Sequence, residues 1–239
     1  MATRPYQDYF DLQLCFAARH AALTGAPFTE AVARYTNIRR RLGLWGPAGD
    51  ATWASFLLAI QGCSTFSDIL GIAMDAHDSA PRRSPSRFGC FTYDPPDPEG
   101  RLRLHFMPEE RHRQASPLAE SKLPERRAEL QALFSEVLRL YPGVRQVRGL
   151  SWLYHVQAYM RLFPGRYVAS VTPPTAELHM TGSSTWGQVL DYRHRLRPGI
   201  GKRVLDALGP STLDAPWRAF PLQPLAAAAA ADDFFEWFA

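Results

Sequence analysis

Residues 124–150 read PERRAELQALFSEVLRLYPGVRQVRGL, and the reading of this stretch decides the fold. Leu130, Leu133, Phe134, Val137, Leu138 and Tyr141 recur at three- and four-residue steps, so they line one stripe of a helix. Pro124 suits the first turn, where its missing N–H costs nothing, and Pro142-Gly143 is a firm stop. Beyond the stop, Val144 to Leu150 reads as a strand. Upstream, Phe88 to Tyr93 and Leu102 to Phe106 read as two more. The residues joining those two, Asp94-Pro95-Pro96-Asp97-Pro98-Glu99-Gly100, can only turn, because proline cannot donate to a ladder; a β-hairpin follows. Downstream come a helix from Trp152 to Phe163, ended by Pro164-Gly165, and a strand from Tyr167 to Val171. Strand–helix–strand order of this kind favours a mixed sheet packed against helices, hence an α+β class.

The N-terminal third has a different grammar. Tyr6, Tyr9, Phe10, Leu12, Leu14 and Phe16 give a broad apolar helical face that Thr24-Gly25-Ala26-Pro27 stops. Thr29 is placed to cap a helix through Val32, Tyr35, Ile38 and Leu42, and Asp50 one through Trp53, Phe56, Leu57 and Ile60. A fourth runs through Phe66, Ile69, Leu70 and Met74. Residues 78–87 hold two prolines and no apolar side chain larger than Ala. They divide what is read as one compact domain, 1–239, into a helical part, 1–77, and an α/β part, 88–239. In the latter, Ser183 or Ser184 is placed to cap a helix through Trp186, Val189 and Leu190, and Val204, Leu205 and Leu208 mark another. The tail is six alanines, Ala226 to Ala231, then Asp232-Asp233-Phe234-Phe235-Glu236-Trp237-Phe238. Aromatics at this density are costly in water, so this end should dock on the body or on a partner.

Composition narrows the function classes. With 239 residues, 46% hydrophobic and 21% charged, the chain can bury a sizeable core. No apolar run approaches the roughly 20 residues of a membrane span, and the opening residues carry no apolar stretch of the kind a secretory signal needs. Cys15, Cys63 and Cys90 are an odd number with no close pair, which suits thiols in a reducing, cytoplasmic setting better than a disulfide framework. His112, His155, His179 and His194 have no metal-ligand spacing, so no metal is expected. Glu109-Glu110 sits in a charged loop and reads as solvated. A formal net charge of +4 suits an anionic ligand but is too mild to argue for nucleic acid.

One stretch resembles a known family. Leu102-Arg103-Leu104-His105-Phe106, Ser116-Pro117-Leu118, the helix ending at Tyr141-Pro142, Ser151-Trp152-Leu153-Tyr154 and Tyr159-Met160-Arg161-Leu162-Phe163-Pro164 follow in that order. The order is similar to the acyltransferase-like C-terminal domain of some bacterial members of the GNAT superfamily. There an LHIP strand, a small-Pro-Leu segment, a helix ending in Phe-Pro and a Ser-Trp-Leu-Leu motif succeed one another. The likeness covers about residues 100–170, with His-Phe-Met-Pro at 105–108 and Tyr154 where that family usually has Leu. The N-terminal helices resemble an uncharacterised bacterial family that shares the layout. The resemblance implies a GNAT-like fold and N-acyl transfer from an acyl thioester, either acyl-coenzyme A as cosubstrate or a carrier protein. It implies no tightly bound cofactor.

Acyl transfer to an amine needs a base, oxyanion donors and a weak acid for the leaving thiolate. His105, at the end of a strand, offers the base; it serves equally as a hydrogen-bonded histidine at a sheet edge. Tyr154 or Tyr159 offers the acid, and both suit a core rim as well. Ser151 is at a helix N-cap position, which explains it without chemistry. Arg193, Arg195, Arg197 and Lys202, with Arg203, put five fixed positive charges in eleven residues, and Gly199-Ile200-Gly201 precedes a helical pattern. Backbone N–H groups at such a start can hold a phosphate, and the segment resembles the pyrophosphate loop of that superfamily; a solvated basic turn reads the same way. The competing function is a non-enzymatic interaction protein, pairing with a partner or itself through the helical part and the aromatic tail. Nucleic-acid binding, which would join Arg39-Arg40-Arg41, Arg82-Arg83 and the 193–203 segment, ranks last.

Overall fold

A computed structural model describes residues 4–81, 86–108 and 115–239. In chain order the elements open with helices α1 (Gln7–Thr24), α2 (Phe28–Tyr35), α3 (Ile38–Arg41), α4 (Gly46–Gln61) and α5 (Phe66–Ser79). Strands β1 (Phe91–Asp94) and β2 (Arg101–Phe106), helix α6 (Leu123–Leu140) and strand β3 (Gln146–Ser151) follow. Helices α7 (Gln157–Met160), α8 (Gly165–Ala169), α9 (Ser183–Trp186) and α10 (Ile200–Ala207), strand β4 (Leu225–Ala230) and helix α11 (Ala231–Trp237) complete the chain. The class is α+β with a four-stranded mixed sheet.

The chain forms two compact units, each with its own core. The first joins Met1–Arg83 to Glu177–Gln223. Helix α1 is its axis. Its apolar residues are not confined to a stripe, and Tyr9, Phe10, Leu12, Leu14 and Phe16 are all buried, as a helix surrounded by others requires. Trp186 enters this core edge-on to Phe16 and Phe220, with centroids 5.4 and 4.8 Å away, and its Nε1–H donates to the Tyr35 carbonyl at 2.9 Å.

The second unit joins Ser84–Ala176 to Pro224–Ala239. Its sheet has the order β1-β2-β3-β4, antiparallel, parallel, antiparallel. The hairpin forms as expected, and α6 is the crossover of the parallel pair β2/β3. Its Leu130, Leu133, Phe134 and Val137 are buried among Phe91, Leu102, Leu104 and Val147 of the strands. The aromatic tail docks here: Phe134 packs on Phe234 and stacks on Phe238, at 4.8 and 5.4 Å.

Several elements differ from the sequence reading. Residues 177–223 belong with the N-terminal helices rather than with the α/β part, because Met180, Trp186 and Val189 fill the first core. The helix expected through Leu42 breaks at Thr36, which is extended; its Oγ1 donates back to Val32 O at 2.7 Å, and the Asn37 N–H donates to Gln13 Oε1 at 2.7 Å. Thr29 lies inside α2, whose cap is Pro27, and Asp50 lies inside α4, where it pairs with Arg39. Helix α9 starts at Ser183 itself, behind Gly182. The Trp152–Phe163 helix is split at Val156 into a 3₁₀ turn, Trp152–His155, and α7.

The largest departure is Tyr167 to Val171, expected as a strand; Tyr167 to Ala169 instead complete α8, behind Pro164. The place beside β3 is taken by the alanine run, which pairs with it from Gln146↔Ala230 to Ser151↔Leu225; only the isolated bridge Thr172↔Ala226 remains near α8. No disulfide joins the cysteines. Among the described residues no helix is long and apolar enough to cross a membrane.

Candidate functional site

The parallel pair β2/β3 is short. It is registered only at Arg101↔Gln146, Leu102↔Val147 and Arg103↔Arg148, although β2 runs on to Phe106 and β3 to Ser151. Among the described residues, pairing therefore stops halfway, leaving residues 104–106 of β2 and 149–151 of β3 outside the shared ladder. The half of β3 that does not pair with β2 contains Gly149, opposite Ala227 of β4. These small residues admit two phenols: a Cβ on Gly149 would lie 2.1 Å from the Tyr154 hydroxyl and 2.5 Å from that of Tyr167.

Local structure fixes both rings. Ser151 caps the 3₁₀ turn, its Oγ accepting from the Leu153 N–H at 3.1 Å, and this turn aims Tyr154 at the strand. Helix α8 brings Tyr167, and the two hydroxyls are 2.5 Å apart. Tyr159 sits behind, its ring 5.6 Å from Tyr154 and 5.4 Å from Phe106. All three are buried. Burial first, then the neighbouring phenols, pushes each of them above the usual tyrosine range. They stay protonated near neutrality and can donate but not act as bases.

His105 stands elsewhere. Successive side chains of a strand point to opposite faces, and Phe106 is on the Tyr159 face, so His105 is on the other. There it faces Asp94, with 2.8 Å between Nε2 and Oδ2, on the face that also carries Arg101 and Arg103. The sheet separates it from Tyr154.

The basic segment belongs to the first unit. Asp191, just upstream, accepts from the Arg193 and Arg195 N–H groups at 2.8 and 2.9 Å and from the Arg195 guanidinium at 3.1 Å. Lys202 pairs with Asp206 at 2.5 Å, and Arg197 Nε donates to Leu190 O at 3.0 Å. Gly199 has φ +71° and ends the turn before α10, a conformation that favours glycine. Gly201 packs toward Leu12, 3.5 Å from where its Cβ would be. These contacts engage Arg195, Arg197 and Lys202, and the turn and the packing account for Gly199 and Gly201. The structure brings Tyr154 and Tyr159 together; it puts His105 on another sheet face and Arg193, Arg195, Arg197, Gly199, Gly201 and Lys202 in another unit.

No protein-family model, curated protein or solved structure matches the chain.

Three participants escaped the sequence reading. Gly149 carries no motif, Asp94 opens a proline-rich loop in the sequence, and Tyr167 has a strand's pattern around it. Nothing in a spacing of thirteen residues announces that Tyr154 and Tyr167 meet. Arg82, Arg83, Glu109, Glu110 and His112 lie outside the described residues. Among the described residues, no group of three or more His, Cys, Asp and Glu side chains could hold a metal ion.

Proposed function

We propose that the second unit binds an acyl thioester, carried by coenzyme A or a carrier protein, and transfers the acyl group to an amine. The observation that carries this reading is the Tyr154–Tyr167 hydroxyl pair at Gly149, where the β2/β3 ladder has ended. Ligands of open α/β sheets collect outside the carboxyl ends of parallel strands, and strand edges left unpaired suit an extended, amide-bearing arm. The amine attacks the thioester carbonyl, the tetrahedral intermediate breaks its C–S bond, and the thiolate takes a proton from Tyr154, with Tyr167 behind it. The amine enters as free base, its nitrogen gives a proton to water after the attack, and water restores the proton that Tyr154 has given up. His105, across the sheet, has no part in this step.

A thermal-shift titration of the purified protein with coenzyme A, acetyl-coenzyme A and a long-chain acyl-coenzyme A tests it. Binding to the native state raises the midpoint saturably by mass action. Tyr154→Phe should keep the shift and lower transfer by about a hundredfold, the usual scale for a general acid. A flat response to every thioester sinks the reading.

A second reading, self-association, is favoured by the outer face of α4. From Ala51 to Ser67 the chain carries no charged residue, yet Ala51, Ala54 and Ala59 are exposed and Leu58 is 69% exposed. Of the aromatic tail, Phe234 and Phe238 are used in the second core, and Trp237 is exposed. Light scattering should give a concentration-dependent mass that Leu58→Glu abolishes; a monomer at every concentration rejects it.

A further inference from the structure

The first unit contains a polar cluster that neither reading uses. Among the described residues two non-glycines have left-handed backbones, Tyr6 (φ 65°) and His194 (φ 60°). They are 188 positions apart in sequence, and their side chains bond to each other, Tyr6 Oη with His194 Nδ1. His194 stands at the tip of the small hairpin closed by Leu190↔Leu196, where glycine or asparagine adopts the conformation without strain. Tyr6 precedes α1, in a cap position where its side chain makes no cap bond. Strained backbones persist where surrounding structure imposes them, and they gather at binding sites.

Two more side chains complete the cluster. His77 of α5 lies 5.3 Å from the Tyr6 ring and 5.1 Å from Phe10. Arg41 of α3 places its guanidinium over the rings of Tyr6 and Tyr9, 5.2 and 5.1 Å from their centroids. Tyr6, Arg41, His77 and His194 are each half-buried as whole residues, the buried part of Arg41 being its guanidinium Nε.

The charges around it do not balance. Asp75 and Asp78 pair with Arg4, Asp78 also faces His77 Nδ1 at 3.4 Å, and Asp191 is taken by Arg195. Arg41 forms no ion pair among the described residues, and its Nε–H is buried without an acceptor. A buried guanidinium donor is costly to leave unmatched, and planar, paired N–H groups suit phosphate or carboxylate oxygens. Arg41 alone matches one negative charge. Two imidazoles beside it, each able to take a proton, match a second, which favours a phosphate dianion over a carboxylate.

We propose that Tyr6, Arg41, His77 and His194 form a binding site for the phosphate group of a small phosphorylated ligand. Arg41 holds two phosphate oxygens, the Tyr6 hydroxyl donates to a third, and the imidazoles carry the balancing protons. Inorganic phosphate is the probe, added to the full chain at constant ionic strength while histidine ring resonances are followed by NMR. Two histidine pKa values should rise saturably with phosphate concentration, and they should be lost singly in His77→Gln and His194→Gln. Arg41→Lys should weaken the response about tenfold, the loss of one bidentate pair. Arg127→Gln, on α6, should leave it unchanged. No saturable shift below about 10 mM phosphate, weaker than any useful affinity, overturns the proposal, whether or not the variants fold. An equal response to succinate, or an undiminished one in Arg41→Lys, overturns it as well.

Discussion

Gly149 shows how one missing side chain sets the geometry of the proposed site. An alanine there would put its methyl 2.1 Å from the Tyr154 hydroxyl, inside any real contact distance. Gly149→Ala should therefore cost about 1–3 kcal/mol by overpacking, read as a lower urea midpoint. Tyr154→Phe in the same chain should recover part of the loss by removing the oxygen; no recovery would place the strain elsewhere. His20 makes a separate argument in the first unit. It is buried, and neither ring nitrogen has a hydrogen-bond partner among the described residues. Burial lowers its pKa below the usual imidazole value, and this outweighs the nearby Leu213 backbone, which favours the charged form without making a hydrogen bond. The unfolded chain thus takes up a proton that the folded chain refuses, so folding stability falls as pH falls. The contribution is intact above the unfolded pKa of about 6.5 and is lost as pH drops below it. Urea midpoints across that range should show a slope that His20→Gln flattens; an unchanged slope would assign it to other groups.

At the scale of elements, legibility follows how local the determining interactions are. Helix α6 was readable because its proline start, apolar stripe and Pro-Gly stop all lie within the element, and the β1/β2 hairpin because three prolines leave its loop no alternative. Strand β4 was not. Alanine is the best helix former and a poor strand former, and only the partner strand, with Gly149 opposite Ala227, gives the run its reason to extend. Helix α8 failed for the complementary reason, since its place at β3 was already filled. At the site, Ser151 was legible as a cap because capping is local. The Tyr154–Tyr167 pair and the placing of His105 on the far face depend on tertiary packing and strand alternation. Helix α11 supports a prediction of its own. Phe234 is fully buried against Phe134 and Tyr167, with centroids 4.8 and 4.9 Å away. Deleting residues 232–239 should unfold the second core rather than merely detach a partner, and Phe234→Ala should cost about 3–5 kcal/mol. A truncated chain with native near-UV circular dichroism would contradict this docking.

At the scale of the molecule, the sequence marks a change of grammar near residues 78–87 but not the return of 177–223 to the first unit. That return depends on Trp186, Val189 and Phe220 filling a core begun by α1, a long-range fact without a local signature. Two cores in one chain raise the question of cooperativity. A domain with its own core can unfold on its own, and two-state behaviour is not assured when two are joined. Phe16 is fully buried in the first core and Phe234 in the second, so each reports on one of them. Trp45, Trp53, Trp186 and Trp217 belong to the first unit, and Trp152 and Trp237 to the second, so tryptophan emission weights the first. Urea unfolding followed by emission and by far-UV circular dichroism should then show two transitions. Phe16→Ala should move the one seen by emission, and Phe234→Ala the other. If the probes coincide and both variants shift a single transition, the two cores unfold as one cooperative domain, and the resemblance over residues 100–170 describes part of a larger unit rather than a module with its own stability.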